Sequence, residues 1–287
     1  MAQSDLYKYE PSLATAVIFA IGFLISAALH TYQIFRTRTW FFIPFLLGTI
    51  FECIGCVCRG IGSKETPDWS LGPFVIQSLF LLLGPTFYAA SIYMILGRII
   101  TLLEAEAYSL VKSTWLTKFF LIGDIISIAL QGIGGGKLSN AETEDERSQG
   151  ESLIIGGLIV QVAFFGFFMA VTFIFHRKIK KTPTPKVGRL DNTWHILLMV
   201  LYTTSILILI RSAFRLIEYI QGHDGELQSK EYYIYVLDIA LMLFASVLLN
   251  IFHPSKCFSE NAQVQKGRES ATQLTDYNSE YHRVGAV

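Results

Sequence analysis

Three charged side chains stand inside the apolar stretch LILIRSAFRLIEYI, residues 207–220: Arg211, Arg215 and Glu218, spaced four and then three residues apart. On a helix that spacing sets them on one stripe. Two guanidinium groups there could take a phosphate or a carboxylate, and a carboxylate could take an amine. Other apolar stretches carry polar residues in the same manner. Glu52 and Arg59 stand seven residues apart, as do Asp124 and Gln131, so each pair shares a helix face. Gln77, Gln161 and Asp238 complete the set. These are groups that hold a polar headgroup or pair with one another, and no nucleophile with an adjacent base is found among them.

Other chemistries are excluded by what the chain lacks. The stretch GIGGGKLS resembles a phosphate loop, but Gln131 stands where its first glycine is required and Leu138 follows the lysine, so it reads as a helix end. The histidines other than His30 fall at the ends of apolar runs, in loops or in the tail, and an intramembrane zinc hydrolase would need several well inside. Cys53, Cys56 and Cys58 share one segment without matching ligands elsewhere, which is no metal pattern. A G-x-S-x-G nucleophile motif is absent. The expectation is a non-enzyme that needs no metal or cofactor.

The elements that must position these residues are membrane helices. Of 287 residues, 52% are hydrophobic and 16% charged, and the apolar residues come in runs long enough to cross a hydrocarbon core of about 30 Å. Seven runs are expected to span: Leu13–Phe35, Phe41–Ile61, Pro73–Ile100, Phe119–Ile133, Leu153–Phe175, Trp194–Ile220 and Tyr232–Phe252. The first lacks a basic flank and reads as a retained helix. Basic residues decide orientation, because basic connections stay cytoplasmic. Fifteen lysines and arginines, including those of HRKIKKTPTPKVGR and the C-terminal tail, fall on one side and five on the other. The expected fold is therefore an all-α seven-transmembrane-helix bundle. Its predicted parts are an extracellular N-terminus (1–12), a membrane domain (13–252) and a disordered cytoplasmic tail (253–287). A net charge of zero gives no sign of a nucleic-acid partner. The acidic connection KLSNAETEDERSQGE reads as a solvated loop, and Cys257, just past the last span, sits where a thiol can be S-acylated.

Burying three charges in the sixth span is close to break-even. Its fourteen Leu, Ile, Val and Phe residues favour insertion by roughly 4–8 kcal/mol, against about 7–10 kcal/mol for three central charges. Such a helix persists when the charges face protein or water rather than lipid. Partners stand at similar depth in Glu52, Arg59, Gln77, Gln131, Gln161 and Asp238, with Asp124 deeper, and a pair between Arg211 or Arg215 and Asp238 is expected. Two readings follow: the charges fasten the helices together, or they line a headgroup cavity open to the outer leaflet. Gly84-Pro85 in the third span leans toward the second, because the proline frees a carbonyl near mid-membrane. Within the cavity reading, Glu218 lies nearest the outer surface, so its neutralisation should spare the fold.

The motifs ECIGCVCR, IQSLFLLLGPTFYAASIYMILGRII, DIISIALQGIGGG, GGLIVQVAFFGFF and RSAFRLIEYIQGHDGELQSKEYYIYVLD together resemble the fungal RTA-like family, also called the lipid-translocating exporter family. The resemblance runs from about residue 9 to 254, with several long motifs in order. By position, Glu52, Arg59, Gln77, Pro85, Arg98, Asp124, Gln131, Gln161, Arg211, Arg215, Glu218 and Asp238 match the family's recurring polar and proline positions. Cys56 departs from it, since an aromatic residue usually follows the glycine there. The resemblance implies a fungal seven-helix protein of the plasma membrane or another cellular membrane, and the plasma membrane is the expected location. It further implies resistance to toxic lipids or drugs, release of sphingoid long-chain bases, or the handling of a haem-like ligand. With no energy-coupling domain recognisable in the sequence, the expected function is ATP-independent export of amphipathic lipids, a sphingoid long-chain base or phospholipid. The rival expectation is a seven-helix lipid sensor that signals through its basic cytoplasmic connection.

Overall fold

The computed structural model describes residues 9–65, 69–187, 193–222 and 225–258. Among them no strand occurs, and seven helices are long and apolar enough to cross a membrane. The chain is an all-α integral membrane protein. Six spans are single helices: α1 Leu13–Thr37, α2 Ile43–Lys64, α3 Leu71–Leu102, α4 Ser113–Ser139, α5 Glu144–Lys181 and α6 Thr193–Gln221. The seventh span, Glu231–Phe258, opens with one turn, Glu231–Ile234, widens into a π-turn at Tyr235–Ile239 and continues as the helix Ala240–Ile251.

Short connections make successive spans antiparallel, which gives the bundle an N-terminal end and a tail end. Ser12 shows the N-terminal end being fixed: its hydroxyl caps α1 by accepting from the Thr15 amide, and its own amide donates to Glu231 Oε1 at 2.8 Å. α3 lies at the centre, with 67% of its apolar stretch buried against 28% for α1. Tyr88, Ile92, Tyr93, Leu96 and Ile99 of α3 are fully enclosed. The outer faces carry Ile18, Leu24, Phe35, Ile122 and Phe173, each more than half exposed, as a helix that meets lipid should. α2 and α3 cross closely, since a Cβ on Gly48 would come 2.6 Å from the Gly84 carbonyl oxygen.

Two boundaries differ from the sequence expectation. The supposed fifteen-residue loop KLSNAETEDERSQGE is mostly helical, leaving only residues 140–143 between α4 and α5. Thr143 and Glu146 form a capping box that satisfies the free amides of α5, so the helix starts well before its apolar run. At the other end, His253, Ser255 and Cys257 are buried against the bundle, and packed chain continues to Phe258. Residues 1–8, 188–192 and 259–287, which hold most of the expected N-terminus, part of the basic connection and nearly all of the expected tail, lie outside the described residues.

Candidate functional site

The apolar face of α6 that turns inward carries Arg211, Arg215 and Glu218, all buried. Arg211 Nε donates to Asp238 Oδ1 at 2.5 Å, and Arg215 Nη2 lies 2.8 Å from Asp238 Oδ2. Asp238 therefore bridges both arginines, where the sequence predicted a pair with one of them. Arg215 Nη1 also donates to Glu218 Oε2 at 2.9 Å, one turn along the same helix. The π-turn places Asp238 for this role. Its wider winding shifts the phase of the seventh span, and Tyr235, Asp238 and Ile239 within it are all buried.

A second anchor comes from the backbone of α3. Pro85 has no amide hydrogen, so the Leu81 carbonyl one turn before it is left without its helical donor. Arg211 Nη2 donates to that carbonyl. The oxygen freed by the proline is thus taken by a guanidinium rather than by water or lipid, and one side chain ties α3, α6 and the seventh span together.

Glu52 of α2 completes the cluster in a different manner. It is fully buried, and neither carboxylate oxygen has a hydrogen-bond partner among the described residues. Arg211, Arg215 and Asp238 lie within electrostatic reach. Gly84 makes room for it, since a Cβ at that position would stand 2.6 Å from Glu52 Oε1. Arg211 Nη1 and Arg215 Nε are likewise buried without hydrogen-bond partners among the described residues. Unfilled donors and an unfilled carboxyl thus coexist in one buried region, where such groups each cost about 1–3 kcal/mol or more.

The remaining predicted residues form separate groups. Arg59, two turns along α2, donates from Nε to the Tyr235 hydroxyl at 3.0 Å and from Nη2 to the Tyr9 hydroxyl at 2.7 Å, and it pairs with Glu231 at 3.2 Å. Cys56 lies buried between this group and Glu52. Gln131 of α4 donates to the Ser127 hydroxyl at 2.6 Å and to Gln161 Oε1 of α5 at 3.2 Å, while Ser127 donates to the Gly157 carbonyl. A Cβ on Gly157 would stand 2.8 Å from the Ser127 backbone oxygen, so these amides seal a close α4–α5 crossing. Asp124 is buried facing Tyr93, and Gln77 is buried on α3. The structure accordingly brings together Glu52, Arg211, Arg215, Glu218 and Asp238, with Arg59 adjoining through Cys56, and sets Asp124, Gln131 and Gln161 apart on the α4–α5 side.

Sequence reasoning passed over two sets of partners. Tyr9, Tyr235 and Glu231 enclose Arg59, and no spacing rule links residues so far apart. The second set is a chain of hydroxyls and imidazoles in the tail-end half, formed by Thr49, Tyr88, Ser26, Ser246, Asn250 and His30. Its signal was present, because Ser26 and His30, and Ser246 and Asn250, each recur at four-residue spacing in otherwise apolar helices.

Known proteins resemble this chain in sequence. The family described as RTA1 like protein matches residues 45–261. Protein RTA1 of Saccharomyces cerevisiae is 35% identical, with 91% of this chain and 90% of that protein covered. Protoporphyrin uptake protein 1 of the same yeast is 33% identical over 86% of this chain and 91% of its own. The yeast sphingoid long-chain base transporter RSB1 is 26% identical over 92% of this chain and 75% of its own. No solved structure matches the chain.

Proposed function

We propose, from the premise that the chain belongs to the RTA1-like protein family, that it moves amphipathic ligands across or out of the membrane without hydrolysing ATP. A sphingoid long-chain base or a phospholipid is the ligand class, and the buried cluster around Glu52 takes its headgroup. Relatives named for sphingoid-base transport and for protoporphyrin uptake support a ligand with a long apolar part and a charged group. The observation that carries the reading is the unpartnered Glu52 carboxyl beside Arg211 and Arg215 with free donor atoms. An amine would fill the first, and a phosphate or carboxylate the second.

The physical task of such a protein is to replace the headgroup's water, whose loss is the main barrier to crossing. Groups that already stand unfilled within a low-dielectric interior can do this with little rearrangement. In this conformation the Arg211–Asp238 pair closes α6 against the seventh span, so admission of a headgroup requires that contact to part. The orientation proposed is N-terminus outside and tail inside, in the plasma membrane, as the fifteen-to-five basic asymmetry favours.

The test is flux in liposomes that contain only the purified chain, with a labelled sphingoid base and an acidic phospholipid compared side by side. Transfer of labelled lipid above protein-free liposomes is the expected result. Saturable binding with no transfer would assign the cluster to a sensor, and neither binding nor transfer would remove it from lipid handling.

A further inference from the structure

The cluster's charges balance without Glu52. Arg211 and Arg215 are matched by Asp238 and Glu218, all in ion pairs of 2.5–2.9 Å. Glu52 is then a surplus carboxyl, fully buried, with both oxygens unbonded. An uncompensated buried ion costs several kcal/mol, so this group is comfortable in two states only: carrying a proton, or facing a cation. The titratable and charged groups around it are Arg211 and Arg215 from α6, Asp238 from the seventh span, Tyr88 from α3, and Cys56 one turn along its own helix.

A path for that proton runs toward the tail end. The Tyr88 hydroxyl, within electrostatic reach of Glu52, donates to Thr49 Oγ1 at 3.1 Å. Thr49 Oγ1 lies 3.3 Å from Ser246 Oγ, which lies 3.4 Å from His30 Nε2. Ser26 and Asn250 brace this chain, with Ser26 Oγ 2.6 Å from Ser246 Oγ and 2.5 Å from Asn250 Nδ2. Beyond His30, the ring of His253 follows with centroids 6.5 Å apart, and among the described residues His30 Nδ1 and His253 Nε2 are both buried without hydrogen-bond partners. Thr49, Tyr88, Ser246 and His30 are fully buried and His253 is 3% exposed. Hydroxyls and imidazoles both donate and accept, which is the property a relay needs. From Glu52 to the start of α2 is nine residues, about 13 Å of helix rise, so the chain covers the tail-end half of the bundle.

We infer that Glu52 exchanges a proton for the cationic headgroup of the ligand, and that Tyr88, Thr49, Ser246, His30 and His253 carry that proton between Glu52 and the tail end. The inference rests on the transport reading above and adds its coupling. In balance, the neutral carboxylic acid and an incoming ammonium become a carboxylate–ammonium pair plus one proton, which leaves through Tyr88. Release of the ammonium reverses the step. One positive charge moves each way, so the cycle is electroneutral and driven by a pH difference.

The test uses the full chain in phosphatidylcholine liposomes with a pH-reporting dye inside and N,N,N-trimethylsphingosine as probe, whose fixed charge carries no proton of its own. The expected result is probe movement with one-for-one proton counterflow, driven by an imposed pH gradient and indifferent to a potassium diffusion potential. Glu52→Gln should abolish the gradient-driven movement. Thr49→Val, which keeps shape and removes one hydroxyl, should slow it on the order of 10²-fold, the scale of a lost proton-transfer group, while exchange of labelled for unlabelled probe persists. Probe movement that follows the electrical potential with no pH response overturns the exchange and leaves transport standing. Full gradient-driven flux in Thr49→Val overturns the path. A wild-type chain that moves neither this probe nor a sphingoid base overturns the transport reading, and the exchange with it.

Discussion

Asp238→Asn tests how α6 and the seventh span are held together. Asp238 has no exposed surface and contacts two arginines at 2.5 and 2.8 Å. With charge centres about 4 Å apart and an effective dielectric near 20, each pair is worth about 4 kcal/mol before desolvation is subtracted. Removal of one partner from a buried pair costs about 3–5 kcal/mol, because the other charge is stranded. Asparagine keeps one acceptor, and Glu52 can ionise to replace the lost charge, so the expected loss lies near the low end, about 3 kcal/mol. Among the described residues Arg211 pairs with no other carboxylate, whereas Arg215 retains Glu218. A double-mutant cycle should therefore show coupling of about 2–3 kcal/mol between Asp238→Asn and Arg211→Gln, and clearly less between Asp238→Asn and Arg215→Gln. Reversible unfolding of the purified protein in detergent gives the four stabilities of each cycle. Single changes that each cost under about 0.5 kcal/mol and simply add would refute the argument, since the charges would then be neutralised by water.

Three further outcomes are expected. An epitope placed after Val287 should survive protease added to intact cells, and its loss from sealed cells would invert the orientation. Gly48→Ala should destabilise the α2–α3 crossing by about 1–3 kcal/mol, because the added methyl would stand 2.6 Å from the Gly84 carbonyl oxygen; unchanged unfolding would mean that the crossing is looser. Pro85→Ala restores an amide that competes for the Leu81 carbonyl, so Arg211 loses that acceptor; lipid flux should fall while thermal stability stays within about 1 kcal/mol, and unaltered flux would make the proline a kink alone.

The seven spans were legible because lipid imposes a single rule on long apolar runs, and the depth of each charge followed from counting along them. Their ends were not, since a helix continues past its apolar stretch wherever a cap is available, as Thr143 and Glu146 provide for α5. The pairing of Asp238 was legible from depth and sign. Its bridging of two arginines was not, because the π-turn that aims it shifts the helical phase by a fraction of a turn. Pro85 announced a freed carbonyl, yet only packing could show that Arg211 of α6 fills it. Gln131 and Gln161 sat at the expected depth but across α3 from the charged cluster, where depth along a helix carries no information about which neighbour it faces.

Fastening and binding place different demands on Glu218 and Glu52, and burial and bonding distinguish two carboxyls that depth alone set in one site. Glu218 was expected near the surface with little desolvation to bear, but it is 7% exposed and bonded to Arg215. It belongs to the balanced set, so Glu218→Gln should lower stability and flux together, by about 1–3 kcal/mol for a charged hydrogen bond lost from a buried site. Glu52 satisfies nothing in the closed protein, and glutamine of equal size would remove the burden of a surplus buried acid. Glu52→Gln should therefore leave thermal stability unchanged or slightly raised while movement of a sphingoid base is lost and that of an acidic phospholipid is retained. The two variants, measured side by side by unfolding and by flux, separate the accounts. Equal destabilisation by both changes would make Glu52 one more fastening residue, and loss of both lipids in a stable Glu52→Gln protein would remove the carboxyl's preference for amines.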